Sequence, residues 1–152
     1  ATVCGLSPRM RLDVAVNLLT FQALSRNQIT VLGGSQVRPN IHIEDITDLY
    51  LHLLSNIHSI PSGFYNAGFE NISILEIAEM IKTKTNCEIN IEKSNDPRSY
   101  RQDSSKILET GFVPKKKVVN AIDEIIDAYK NKILKDTAQS HTVDWMKKNN
   151  IR

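Results

Sequence analysis

Arg38 is the side chain with the clearest capacity for binding chemistry. It sits in the stretch Ile29 to Asp45, which reads I-T-V-L-G-G-S-Q-V-R-P-N-I-H-I-E-D. Gly33 and Gly34 beside a β-branched run let a flat ligand approach the backbone, and a planar guanidinium on the next corner suits phosphate oxygens. A plainer use of Arg38 is a surface ion pair with Glu44 or Asp45. The second polar cluster, Asn95-Asp96-Pro97-Arg98-Ser99-Tyr100-Arg101-Gln102-Asp103, mixes both signs of charge around a proline. Such a loop can bond sugar hydroxyls and pair with a diphosphate, or it can be a solvated connector, which is the commoner fate of mixed-charge loops.

Other chemistries lack their residues. The chain has no G-x-G-x-x-G or G-x-x-G-x-x-G, no G-x-x-x-x-G-K-[ST] and no G-x-S-x-G, so neither a self-contained nucleotide fold nor a serine hydrolase is encoded. His42, His52, His58 and His141 do not fall at metal-ligand spacing, and no metal site is expected. Cys4 and Cys87 are far apart and outside any C-x-x-C, which argues against a disulfide scaffold and fits a reducing cytoplasm.

The elements that must position these side chains belong to a mixed α/β domain. The 152 residues are 41% hydrophobic and 24% charged, the balance of one globular domain. Nineteen Lys and Arg against 17 Asp and Glu leave a net charge of +2, too little for a nucleic-acid surface. The only basic run is Lys115-Lys116-Lys117. No window approaches the roughly 18 apolar residues of a membrane span. The first residues carry no initiator Met and no signal-peptide pattern, and they read as a cut end.

Apolar spacing predicts a buried helix over Asp13 to Ser25 and a strand over Ile29 to Leu32 closed by the two glycines. A strand over Ile41 to Ile43 and an amphipathic helix from Glu44 to Ile57 follow. Phe64 to Asn66 is a further strand candidate. Ser73 and Glu76 form a capping box for a helix from Ile74 to about Thr85. Glu88 to Glu92 alternates like a half-exposed strand, Asp103 is placed to cap a short helix ending at Gly111, and helices are expected through Ile122 to Ile133 and around Trp145.

Five segments, in order, resemble the C-terminal portion of the extended short-chain dehydrogenase/reductases, the NAD-dependent nucleotide-sugar epimerase/dehydratase family. Thr2 to Arg9 is similar to that family's T-V-[Y]-G-x-S-P-R, and Thr30 to Asp45 to its x-V-x-G-G-x-Q-x-R-P-x-I-H-x-x-D. Tyr65 to Asn71 resembles [FY]-N-x-G-x-E-N, Asp96 to Lys106 resembles D-x-R-x-Y-x-x-[DS]-x-x-K, and Gly111 to Pro114 matches G-F-x-P.

The resemblance implies an α/β fold in which residues 1–152 are the small substrate-binding portion, a few short strands packed with five or six helices. It implies that the N-terminal Rossmann half, with the catalytic Ser/Thr, Tyr and Lys and the site for NAD or NADP, is absent from this chain. The parent enzyme would oxidise a sugar carbon transiently and then epimerise, dehydrate or reduce the product. This chain alone would bind a nucleotide-diphosphate sugar without turning it over. Residue by residue, Arg38 would contact the diphosphate, Thr30 and Leu32 would line the base pocket, and Asp96 and Arg98 would bind diphosphate and ribose. Thr2 falls where the family often has a substrate-binding Asn, Cys4 where it usually has Tyr, and Asp13 and Asn17 on a helix that supplies polar contacts to the nucleotide. Loss of a Rossmann half would uncover apolar surface near Val3, Leu6 and the helix from Leu12. The alternative reading is a non-catalytic interaction module working through the Lys115 to Lys117 corner.

Overall fold

Two short sheets, rather than one, organise the chain, and the segment that carries Arg38 joins them. The computed structural model describes residues 1–151. β2 (Gln28–Leu32) pairs in parallel with β5 (Glu88–Glu92). Its alternation follows the sequence: Ile29 and Val31 are fully buried, whereas Gln28 and Leu32 face outward. β1 (Thr2–Cys4) pairs in parallel with β3 (Val37–His42), which pairs antiparallel with β4 (Glu70–Ser73). The order β1-β3-β4 leaves β1 with one strand partner among the described residues.

β3 begins four residues earlier than the expected Ile41 and ends before Ile43. Pro39 lies inside it, opposite Asn71 in the register, so the proline marks no corner. The Phe64 to Asn66 stretch is irregular, and the strand comes instead at Glu70, after Gly68. Gly68 has to be glycine: a Cβ there would stand 2.9 Å from Ala1 Cβ and 3.0 Å from Pro39 Cβ.

Among the described residues there are six α-helices: α1 (Ala15–Arg26), α2 (Ile43–Ser55), α3 (Ile74–Thr85), the single-turn α4 (Ser105–Leu108), α5 (Val118–Lys130) and α6 (Thr142–Lys148). None is long and apolar enough to cross a membrane. α3 starts at the expected capping box: Ser73 Oγ accepts from the Glu76 amide at 3.2 Å, and Glu76 Oε2 accepts from the Ser73 amide at 2.8 Å. The main core gathers Val16 and Leu19 of α1, Ile29 and Val31 of β2, Ile77 and Ile81 of α3 and Ile122 of α5. Leu12 is fully buried against Met10 and Ile125, so the helix entry is core and not uncovered interface. Of the three positions expected to be uncovered, Val3 is the exposed one, at 38%. The larger apolar exposure is on α2, where Tyr50, Leu51 and Leu54 and, just beyond it, Ile57 face solvent.

The Lys115 to Lys117 corner is tied down from within the chain. Asp45, only 1% exposed, accepts the Lys115 and Lys116 amides at 2.9 and 3.0 Å. The Lys115 ammonium reaches Asp48 at 2.8 Å, and that of Lys116 reaches Glu124 at 3.0 Å and Glu44 at 3.3 Å. These contacts seat the α5 entry on α2. Replacing Asp45 by Ala leaves two amide groups without their acceptor, and an unfolding free energy lower by about 2 to 4 kcal/mol is expected. Urea denaturation of Asp45→Ala checks this; a loss within about 0.5 kcal/mol, the range of a neutral surface change, would show that the corner does not depend on Asp45.

Candidate functional site

The loop after β5 is largely exposed, yet it is docked on the chain. From Asp96 it crosses to the start of β3, where Ser99 Oγ accepts the Val37 amide at 3.0 Å and the Tyr100 amide donates to Val37 O at 3.3 Å. This docking puts Asp96, Arg98 and Tyr100 around Arg38, some 60 residues away in sequence. Arg38 pairs with neither Glu44, which takes the Lys116 ammonium, nor Asp45, which accepts the Lys115 and Lys116 amides.

Arg38 is held on several sides. Its Nη1 donates to Val37 O at 3.0 Å and to Arg98 O, its Nη2 donates to Asp96 Oδ2 at 3.3 Å, and its Cζ lies 5.2 Å from the centre of the Tyr100 ring. Its side chain is 15% exposed, against 75% for Arg98. Arg98 engages the same carboxylate with its fork, Nε to Oδ1 at 2.7 Å and Nη2 to Oδ2 at 2.8 Å. Asp96 thus lies between two guanidinium groups.

A guanidinium has five N–H donors. Arg38 uses three of them on protein acceptors, which leaves Nε–H and one Nη2 hydrogen; Arg98 uses two and keeps both hydrogens of Nη1 and one of Nη2. Two cations around one carboxylate carry a residual positive charge beside donors still available. That is the chemistry of an anion site for a group with several oxygens, such as a diphosphate.

The paired glycines contribute differently from their expected role. Gln36, 9% exposed, closes the loop: its Oε1 accepts the Gly34 amide at 2.7 Å and its Nε2 donates to Leu32 O at 3.0 Å. The Gly33 amide goes to Glu92 O, and Gly34 O accepts from Leu75. Both amides and the Gly34 carbonyl are thus engaged by the protein itself, and they build the turn from β2 into β3. Thr30 and Leu32 stand on the outer side of β2, with the Thr30 amide on Gln22 Oε1 at 3.2 Å. No hydrogen bond joins them to the Arg38 cluster among the described residues.

Thr2 and Asn17 fall on a separate cavity of about 520 Å³, shared with Gly5, Ser7 and Arg11 at the end of β1. Asn17 is 3% exposed, accepts the Gly5 amide at 3.1 Å and donates to Arg11 O at 2.9 Å, so its amide ties the loop after β1 to α1. Asp13 bonds Arg11 Nε at 2.9 Å. Cys4 donates to Ile41 O, and burial pushes its thiol up to about 12, which makes it inert packing.

His42, Glu44 and Glu124 also converge, with ligand-type atoms within 4.8 Å of one another. His42 Nδ1 accepts the Glu44 amide at 3.2 Å, so Nε2 carries the hydrogen shared with Glu124 at 3.0 Å. The Lys116 ammonium bridges both carboxylates. The trio is an ion-paired network between α2 and α5.

Sequence reasoning did not assign Gln36 or Tyr100 a role. Tyr100 stood inside the quoted cluster two residues from Arg98, and its spacing alone gives no sign that its ring faces Arg38.

No family model matches the chain. In sequence it is 31% identical over 96 residues to CDP-paratose 2-epimerase of Salmonella typhi, an alignment covering 62% of this chain and 27% of that protein. Among solved structures, UDP-glucuronic acid 4-epimerase from Bacillus cereus, in complex with UDP-glucuronic acid and NAD, superposes with a TM-score of 0.72 at 28% identity, over 86% of this chain and 43% of that one. ADP-L-glycero-D-manno-heptose-6-epimerase of Helicobacter pylori shares the fold, with a TM-score of 0.70 at 20% identity over 85% of this chain and 42% of that one. The chain spans less than half the length of these relatives. In sequence and fold it is similar to the C-terminal part of NAD-dependent epimerases and dehydratases of the extended short-chain dehydrogenase/reductase type.

The pH behaviour of Asp96 reports on the pairing. The Arg98 guanidinium, then the Arg98 amide, and more weakly the charge of Arg38, lower its carboxyl to about 2. A depressed carboxyl contributes stability above its unfolded value, near 3.9, and loses it as pH falls toward about 2. Carbon-detected titration is expected to find the Asp96 midpoint near 2 in the intact chain and nearer the ordinary value in Arg98→Ala. An unchanged midpoint in that variant would show that Arg98 does not hold the carboxylate in solution.

Proposed function

We propose that residues 1–152 are the nucleotide-sugar-binding part of an NAD-dependent nucleotide-sugar epimerase or dehydratase, with a Rossmann half outside this chain. The observation that carries the reading is the pair Arg38 and Arg98 gathered on one carboxylate with N–H donors to spare. A diphosphate fits that pair because its oxygens can take donors from both guanidinium groups at once. The relatives act on nucleotide sugars with three different bases, by name a CDP-sugar, a UDP-sugar and an ADP-sugar. The element their substrates have in common is the diphosphate, which is what this cluster is suited to bind.

The remaining roles follow from position. Thr30 and Leu32, outward on β2, are assigned to the base; Asp96, beside the diphosphate, to the ribose as well as to the arginines. Thr2, on the cavity beside β1, is assigned to the sugar end. Asn17 supports that end indirectly by fixing the Gly5 to Arg11 loop. The exposed outer edge of β1 is where a parallel sheet of the Rossmann half would continue, since parallel strands rarely remain uncovered.

NAD, which would supply hydride transfer, has no phosphate-cradling glycine pattern in these 152 residues. No step of that chemistry is assigned to them. Their contribution is binding energy, spent on the nucleotide and remote from the reacting carbon, that orients the sugar. In the basic corner from Lys115 to Lys117, the basis of the interaction-module alternative, the Lys115 and Lys116 ammonium groups are paired with Asp48, Glu44 and Glu124, which weighs against that alternative.

Calorimetric titration with CDP, UDP and ADP tests the reading. One of the three is expected to bind, and Arg38→Ala is expected to weaken it by about 1.5 to 3 kcal/mol, the range for hydrogen bonds to a charged group. Equal affinity in wild type and Arg38→Ala would remove Arg38 from the site.

A further inference from the structure

We infer that Tyr100 is a positioning residue of the anion site, its ring face fixing the guanidinium plane of Arg38 so that Nε–H and the remaining Nη2 hydrogen stay presented. The inference deepens the function proposed above and rests on it only for the ligand. Its own basis is geometric.

The Arg38 guanidinium lies over the Tyr100 ring, 5.2 Å from its centre, within the range of a cation–π contact. The same residue reaches Arg38 by a second route, because the Tyr100 amide donates to Val37 O, the acceptor that Arg38 Nη1 also uses. Backbone and ring therefore clamp the arginine from one residue. Asp96 and Arg98 O take edge positions on the guanidinium, which set its in-plane direction but leave the faces open to tilting. A ring over one face removes that tilt.

Tyr100 is 54% exposed, and its hydroxyl has no hydrogen-bond partner among the described residues. It is thus neither a core residue nor a hydrogen-bond anchor through its side chain. What the position requires is an aromatic face. Long side chains lose rotamer freedom on binding, so an arginine already held in plane binds an anion at lower entropic cost than a loose one.

This separates Tyr100 from the residues that would touch the anion. It predicts that the ring matters and the hydroxyl does not. Tyr100→Phe keeps the face; Tyr100→Leu and Tyr100→Gln remove it, and the exposed position accommodates all three without a cavity.

The test uses the 152-residue chain and two readouts. The first needs no ligand: the Nε–H resonance of Arg38, identified by its loss in Arg38→Lys. It is expected to be sharp in wild type and Tyr100→Phe, and broadened or lost through solvent exchange in Tyr100→Leu and Tyr100→Gln, with the β3 amides otherwise retained. The second is affinity for UDP and for inorganic pyrophosphate, expected to fall on the order of 5-fold in Leu and Gln and less than about 2-fold in Phe. An unchanged Arg38 signal in the ringless variants overturns the inference, and so does an equal loss in Phe. If wild type binds neither probe, the proposed function fails, while the Arg38 resonance still decides the role of Tyr100.

Discussion

One carboxylate organises the candidate site. Arg38 on β3 and Arg98 in the loop after β5 carry like charges, yet both direct donors to Asp96. In an exposed setting such pairs add little to stability, because solvent and salt screen them. Their consequence here is orientation: the carboxylate fixes two planar forks relative to each other, and the site's charge, direction and reach all follow from that arrangement. The loop from Asp96 to Tyr100 is in turn fixed to β3 through Val37, whose amide and carbonyl are both engaged by it.

The scaffold beneath the site is built by similar means. Polar side chains buried in this fold serve as struts for the backbone. Asp45 receives two amides of the α5 entry, Asn17 holds the loop after β1, Gln36 closes the glycine turn, and His42, at the end of β3, reaches α5 through Glu124. Gly5 is part of the same economy of space. It has φ +109°, and a Cβ there would stand 2.8 Å from His42 Nε2, so the strand end can pass the buried imidazole only as glycine.

The sequence made the helices and the main strands legible because each has a period that its burial then obeys: Ile29 and Val31 on one face of β2, Ile122, Ile125 and Ile126 inward on α5. The extent of β3 was not legible, because Pro39 reads as a corner and only the pairing with Asn71 shows that it lies in a strand. The same limit applies to the site. Arg38, Asp96 and Arg98 were visible as residues with suitable chemistry, but their meeting depends on a loop crossing between sheets that no local spacing encodes. The glycines misled in the opposite sense. Their flexibility suggested an open approach for a ligand, while the partner that fills it, Gln36, stands two residues away with nothing in its type to announce the role. The basic run from Lys115 to Lys117 likewise gave no sign of the acidic residues waiting on α2.

In the proposed function Arg38 and Arg98 act as one diphosphate clamp. A comparative NMR titration of the labelled chain with UDP and with uridine tests it most directly, following the guanidinium Nε–H groups of both arginines and the amides from Gln36 to Arg38 and from Asp96 to Tyr100. UDP is expected to move the two segments together along one saturation curve, and uridine, lacking the diphosphate, to leave both arginine signals in place. Equal responses to UDP and uridine, or UDP shifts confined to the cavity beside Thr2 with the arginines unmoved, would contradict it.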